Sequence, residues 1–128
     1  MWRVAVYAQE SPGRWGRDRL DRQVAHIAIG VARQPGWWYV ATYADQSFDA
    51  GWRPGLSRLL ADAPGRFDIV AVDGYRRISA DRCERDAVLA RLGAAGVATV
   101  VLRPSTASQL ATVAAEVALI DLIDGATR

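Results

Sequence analysis

The chain has 128 residues, 51% of them apolar, which favours one domain with its own core. Sixteen basic residues, every one an arginine, face fourteen acidic ones for a formal net charge of +2. A charge this near zero does not by itself mark a nucleic-acid partner, so the distribution of the arginines matters more than their sum.

Four β-rich runs alternate with four helical patterns along the chain. The first run, Trp2 to Ala8, is predicted as a buried strand that gives way to the loop Gln9-Glu10-Ser11-Pro12-Gly13. A helix is predicted from Arg17 to Arg33, with Leu20, Val24, Ile27 and Val31 on one face and Gln34-Pro35-Gly36 as its stop. Strand two is Trp37 to Tyr43, followed by a polar loop from Asp45 to Trp52. A second helix starts near Arg53-Pro54-Gly55 with proline in its first turn, buries Leu56, Leu59 and Leu60, and ends at Pro64-Gly65. Strand three is Phe67 to Val72, and a loop from Asp73 to Ser79 leads to a third helix, Ala80 to Ala95, closed by Gly96. Strand four is Val97 to Leu102. The last helical pattern runs from Ser105 to Ile123, with Leu110, Val113, Val117 and Ile120 as its seam. This β-α repetition predicts an α/β fold with a mostly parallel sheet, helices on both faces and right-handed crossovers.

Several chemistries are disfavoured. The loop after strand one matches neither glycine-rich phosphate-binding pattern, so nucleotide binding of the Rossmann or P-loop kind is not expected. His26 is the only histidine and lies mid-helix, away from any cluster at ligand spacing, so no metal site is expected. The lone Cys83 excludes an internal disulfide, suits a reducing cytoplasm and reads as a packing residue of its helix. Met1-Trp2-Arg3 leads straight into a strand without a signal peptide's apolar stretch, and no uncharged run is long enough to span a membrane.

In a parallel sheet, four loops converge at the carboxyl edge, where ligands of open α/β folds bind. They bring Ser11 with Arg14, Arg17, Arg19 and Arg22, then Asp45 and Gln46, then Arg76 and Arg77, then Arg103. A hydroxyl among guanidinium groups, with no histidine base, suits phosphoryl transfer better than acyl transfer, because arginines hold a phosphate and stabilise charge developing on it.

The ordered set of motifs resembles the catalytic domain of serine site-specific recombinases, the resolvase/invertase group. Val4 to Ser11 resembles that family's opening strand and nucleophile loop. Leu20-Asp21-Arg22-Gln23 resembles the start of its first helix, Arg53-Pro54-Gly55-Leu56 its second helix, and Gly65 to Val72 the following strand. Arg77-Ile78-Ser79 resembles its arginine-bearing loop. The likeness spans roughly residues 2 to 105. It implies a three-layer fold with four or five strands, and DNA strand cleavage and rejoining through a 5′-phosphoserine link without metal or nucleotide. It also implies a dimer or higher oligomer. Ser11 is then the nucleophile and Arg77 the phosphate-binding arginine, with Gln23 and Asp45 in support. Arg14, Arg22, Arg76 and Arg103 are further candidates for phosphate or DNA contact.

The chain departs from the family pattern at Gln9, Gln46 and Ala80, where the resemblance calls for arginine. Each missing contact is worth about 1.5–3 kcal/mol to a bound phosphate, so impaired catalysis is expected. Arg14, Arg17 and Arg19 either stand in for the missing groups or form a solvated helix start. The 128 residues read as one catalytic-like domain without a helix-turn-helix or zinc ribbon, which implies a separate DNA-binding subunit for site choice. The alternative is an inactive recombinase-like domain used for dimerisation, regulation or DNA association. Among the five tryptophans, one of Trp37 and Trp38 is expected to face inward, while Trp15 and Trp52 are expected to pack over their loops.

Overall fold

Alternating β-branched, aromatic and small residues give Trp2–Glu10 and Trp37–Gln46 extended backbones, and these two strands, β1 and β2, pair in parallel over their whole length. The computed structural model describes residues 1–47 and 52–103. Two shorter strands complete the sheet, β3 (Ile69–Val72) and β4 (Ala98–Val101), in the order β2-β1-β3-β4 with every pairing parallel. Three helices connect them: α1 (Gly16–Ala32), α2 (Pro54–Arg66) and α3 (Arg82–Ala94).

The central strands are buried on both faces, whereas much of β2 is exposed. Val4, Val6, Ile69, Ala71 and Val100 pack with Ile27 and Val31 of α1 on one side. Ala5, Tyr7, Tyr43, Val70 and Val72 pack with Leu56 and Leu59 of α2 and Leu92 of α3 on the other. This is the three-layer α/β arrangement read from the sequence, with four strands among the described residues. The strand order, not the strand direction, reverses between β1 and β3: from β1 the chain moves to one side to form β2, whereas from β3 it moves to the other to form β4. The carboxyl ends of β1 and β3 therefore flank a topological switch point.

One irregularity decides which side chains reach that point. The β1–β2 register pairs Val4 with Tyr39 but Ala5 with Ala41, leaving Val40 as an extra residue. Side chains alternate along a strand, so one extra residue reverses the assignment of faces. Trp37 faces α1, whereas Tyr43, of the same parity, packs on the α2 side. Asp45, two residues further on, is directed to α2 as well.

Several boundaries differ from the sequence reading. Gln9, Glu10, Asp45 and Gln46, expected in loops, extend β1 and β2, because they pair with one another (Gln9 with Asp45, Glu10 with Gln46) at the sheet rim. Helix α3 begins at Arg82 rather than Ala80, since the Asp81 side chain accepts from the amides of Cys83 and Glu84 and so caps it. The stop at Pro64-Gly65 holds, as both leave helical geometry within α2. Gly96 follows α3 as expected, with Val97 N donating to Leu92 O at 2.9 Å. Cys83, expected to pack, is exposed, because it lies in the solvent-facing first turn of α3. Trp37 is buried and Trp38 exposed, in line with one inward ring. Trp15 and Trp52 do not pack over their loops: they are 57% and 68% exposed, and Trp15 carries the Arg14 guanidinium 5.2 Å from its ring centroid. The helical pattern from Ser105 to Ile123 lies outside the described residues.

Candidate active site

Ser11 follows directly on β1, half-buried at the switch point. Three features hold its backbone there. Gln23 of α1 acts as a surrogate strand: its Oε1 accepts from Gln9 N at 2.9 Å and its Nε2 donates to Gln9 O at 3.0 Å. Those groups lie beyond the last β1–β3 pair, Val6 with Ala71, so the amide replaces ladder bonds that the short β3 does not supply. The first residue of α1 must also be glycine, because a Cβ at Gly16 would stand 2.2 Å from Ser11 O and 2.7 Å from Gln46 Nε2. Finally, Ser11 N donates to the Glu10 carboxylate at 3.2 Å.

Arg77 reaches the same point from the other side of the switch. It ends a 3-10 turn, Tyr75–Arg77, that follows β3. Asp73, four residues earlier, grips its guanidinium edge-on: Nε donates to Oδ1 at 2.8 Å and Nη2 to Oδ2 at 3.4 Å. Nη1 donates to Gln9 O at 3.0 Å, the carbonyl that Gln23 also holds. Arg77 is thus locked to the residue two before Ser11. Glu10 lies on the same side, with its Oε2 3.6 Å from Arg77 Nη1 and its Oε1 3.6 Å from Arg19 Nε.

A second guanidinium belongs to this edge, and sequence reasoning missed it. Arg53 is the N-cap residue of α2. It donates to the carbonyl oxygens of Arg77 and Ile78 and, at 2.6 Å, to the Tyr7 hydroxyl, and it stacks 5.5 Å over the Tyr7 ring. Its Nε is buried with no hydrogen-bond partner among the described residues.

Asp45 completes the support. Nearly fully buried, it accepts from Tyr7 Oη at 2.7 Å, Gly55 N at 2.7 Å and Leu56 N at 2.8 Å. The carboxylate thereby caps α2 from a neighbouring strand, where a negative charge also suits the helix dipole. Gly55 permits the approach, since a Cβ there would meet Ala44 O at 2.4 Å. Burial, followed by the hydrogen bond to Asp45, pushes the Tyr7 hydroxyl well above the usual tyrosine range, so it stays a neutral donor to Asp45.

The structure therefore brings Ser11, Gln23, Asp45 and Arg77 to one edge through Gln9, Tyr7 and Arg53. Arg19 reaches that edge through Glu10, whereas Arg17 pairs with Asp21 of its own helix at 3.4 Å. Arg14, Arg22, Arg76 and Arg103 are exposed, and Arg76 projects from the turn that holds Arg77. Besides Arg53, sequence reasoning passed over Tyr7, Glu10 and Asp73. A hydroxyl in an apolar strand, and an acid four residues before Arg77 at the end of β3, were the available signals. At Gln9, where the resemblance calls for arginine, the side chain instead donates to Ser47 O at 3.3 Å. Ser79 of the arginine loop is buried and donates to Glu84 Oε2 at 3.0 Å, which ties it to α3.

The fold is that of serine recombinase catalytic domains. The catalytic domain of ISC1926 TnpA, an IS607-like serine recombinase, superposes with a TM-score of 0.69 at 22% identity, over 84% of this chain and 75% of that one. The N-terminal catalytic domain of TP901-1 integrase gives 0.60 at 22% identity, with 95% of each chain covered. A resolvase family site-specific recombinase from Streptococcus pneumoniae gives 0.65 at 15% identity, over 97% of this chain and 90% of that one. No protein-family model matches the chain, and neither does any curated protein sequence. No helix among the described residues is long and apolar enough to cross a membrane.

Proposed function

We propose that this domain cleaves and rejoins DNA by serine transesterification, with Ser11 as the nucleophile. The observation that carries the reading is the junction at Gln9 O. One carbonyl, two residues before Ser11, binds both Gln23 and the Asp73-held guanidinium of Arg77. That junction ties the backbone leading into Ser11 to the Arg77 guanidinium, which supports a reading in which the hydroxyl attacks a phosphodiester held by Arg77.

In this reaction Ser11 Oγ forms a bond to phosphorus and the P–O3′ bond breaks. The serine proton ends on the departing 3′ oxygen, and the 5′ phosphate remains esterified to Ser11. Attack by a 3′ hydroxyl reverses the step and rejoins the strand. One phosphodiester replaces another, so no nucleotide is consumed. Arg77 neutralises the equatorial oxygens as charge builds on them, and Arg53 holds the Arg77 carbonyl. One Ser11 opens one strand, so exchange between duplexes calls for several copies, and we include a dimer or larger assembly acting on DNA in the proposal.

Glutamine at positions 9 and 46 and alanine at position 80 point to a rate below that of a site with all its arginines. The test is to incubate the full chain with supercoiled DNA, quench in denaturant and look for a covalent protein–DNA band. A band that Ser11→Ala abolishes supports the proposal. Its absence at high protein concentration, with DNA binding intact, overturns it in favour of a non-catalytic DNA-associated module.

A further inference from the structure

Glu10 is the residue of this edge that a phosphoryl-transfer site does not require. Its carboxylate accepts from Ser11 N at 3.2 Å on Oε1 and lies within ion-pair distance of two cations, Arg19 Nε at 3.6 Å from Oε1 and Arg77 Nη1 at 3.6 Å from Oε2. The main-chain amide of Ser11 and two guanidinium groups, one on each carboxylate oxygen, form an anion cradle, and it is filled by the chain's own side chain. The second acid, Asp73, differs in kind. It grips Arg77 edge-on at 2.8 Å and orients it, whereas Glu10 lies 3.6 Å from Nη1, the nitrogen that also donates to Gln9 O.

The charges agree. Arg19 and Arg77 contribute two positive charges, and Asp73 and Glu10 two negative ones. Replacing the Glu10 carboxylate by a singly charged phosphodiester keeps the balance, whereas adding a phosphodiester beside it leaves an uncompensated negative charge. The entry side is also evident: the Arg19 side chain is 49% exposed, against 15% for Glu10.

Resting on the phosphoryl-transfer reading, we propose that Glu10 is an internal stand-in for the DNA phosphate. It occupies the subsite made by Ser11 N, Arg19 and Arg77 and must swing out before a phosphodiester can bind there. Glu10 thereby sets the affinity of the site and keeps it closed to weakly held anions, and Arg19 becomes a phosphate-contacting residue once the carboxylate leaves.

The experiment measures binding of a fluorescein-labelled duplex to the full chain by anisotropy, across a salt series. Glu10→Gln keeps the shape and removes the charge, so it is expected to tighten binding roughly tenfold and to steepen the salt dependence by about one phosphate contact. Glu10→Ala, which also removes the shape, serves as the second variant and is expected to move the same way. Arg77→Gln in the Glu10→Gln background is expected to erase the gain. Affinity within twofold of the native chain in both Glu10 variants overturns the proposal, as does a gain that survives Arg77→Gln. The covalent-adduct assay separates the two readings. Tighter binding without any adduct retains the Glu10 subsite and removes strand cleavage. A native adduct with unchanged affinity in the Glu10 variants removes the subsite alone.

Discussion

Asp45 offers the most demanding test of how this edge is built. Asp45→Ala removes one carboxylate and strands three donors: the Tyr7 hydroxyl and the amides of Gly55 and Leu56. Asp45 is 3% exposed, so bulk water cannot replace it without opening the end of α2. Each buried donor left unpaired costs about 1–3 kcal/mol, offset in part by the desolvation that the carboxylate itself no longer suffers. The expected loss is about 3–5 kcal/mol, a large share of the 5–15 kcal/mol typical of a domain. Asp45→Asn keeps one acceptor and loses the charge, so its expected cost is about half as large. Urea unfolding followed by tryptophan fluorescence reads both values, with the slope unchanged if the unfolded state is unaffected. Damage should also spread: α2 carries Arg53, which grips the Arg77 and Ile78 carbonyls, so amides of residues 75–79 should exchange faster in the Ala variant. An Asp45→Ala protein within about 1 kcal/mol of the native chain would refute the capping argument.

Other perturbations probe separate links. Gly16→Ala drives a Cβ against the Ser11 carbonyl, so the turn after β1 must shift: adduct yield on DNA should fall by about tenfold or more, and the melting temperature should fall with it by roughly 4 °C or more. Asp73→Asn loosens the edge-on grip on Arg77, and single-turnover cleavage should slow by about 10–100-fold with duplex affinity less affected. The Tyr43 hydroxyl, raised to about 12 by burial and then by its hydrogen bond to Asp62, contributes stability that is complete below its unfolded value near 10 and is lost as pH climbs from about 10 to 12. Alkaline denaturation should therefore be shallower in Tyr43→Phe across that window. At the acid end, Arg3 holds the Asp68 carboxyl below its usual value through a hydrogen bond, so Asp68 adds stability above pH 4 that fades below it; Asp68→Asn should lose this acid-limb dependence.

Local chemistry determined much of this protein. Runs such as Val4-Ala5-Val6 and Ile69-Val70-Ala71-Val72, short and rich in β-branched residues, read as buried strands, Pro64-Gly65 and Gly96 end helices by backbone geometry, and β-α alternation leaves a parallel sheet with few topologies. Those rules put Ser11 and Arg77 at one edge, because both follow strands. Tertiary structure decided what surrounds them. Asp45 caps α2 only because the extra residue Val40 reverses the parity of β2, and one additional residue in an aromatic strand leaves no mark in the pattern. Arg53 reaches the site because a helix N-terminus docks against the Arg77 turn, 24 residues away in sequence. Arg77 meets carboxylates because the fold brings Glu10 and Asp73 within ion-pair distance of it, and charge pairing across a sheet edge is set by the fold rather than by spacing along the chain.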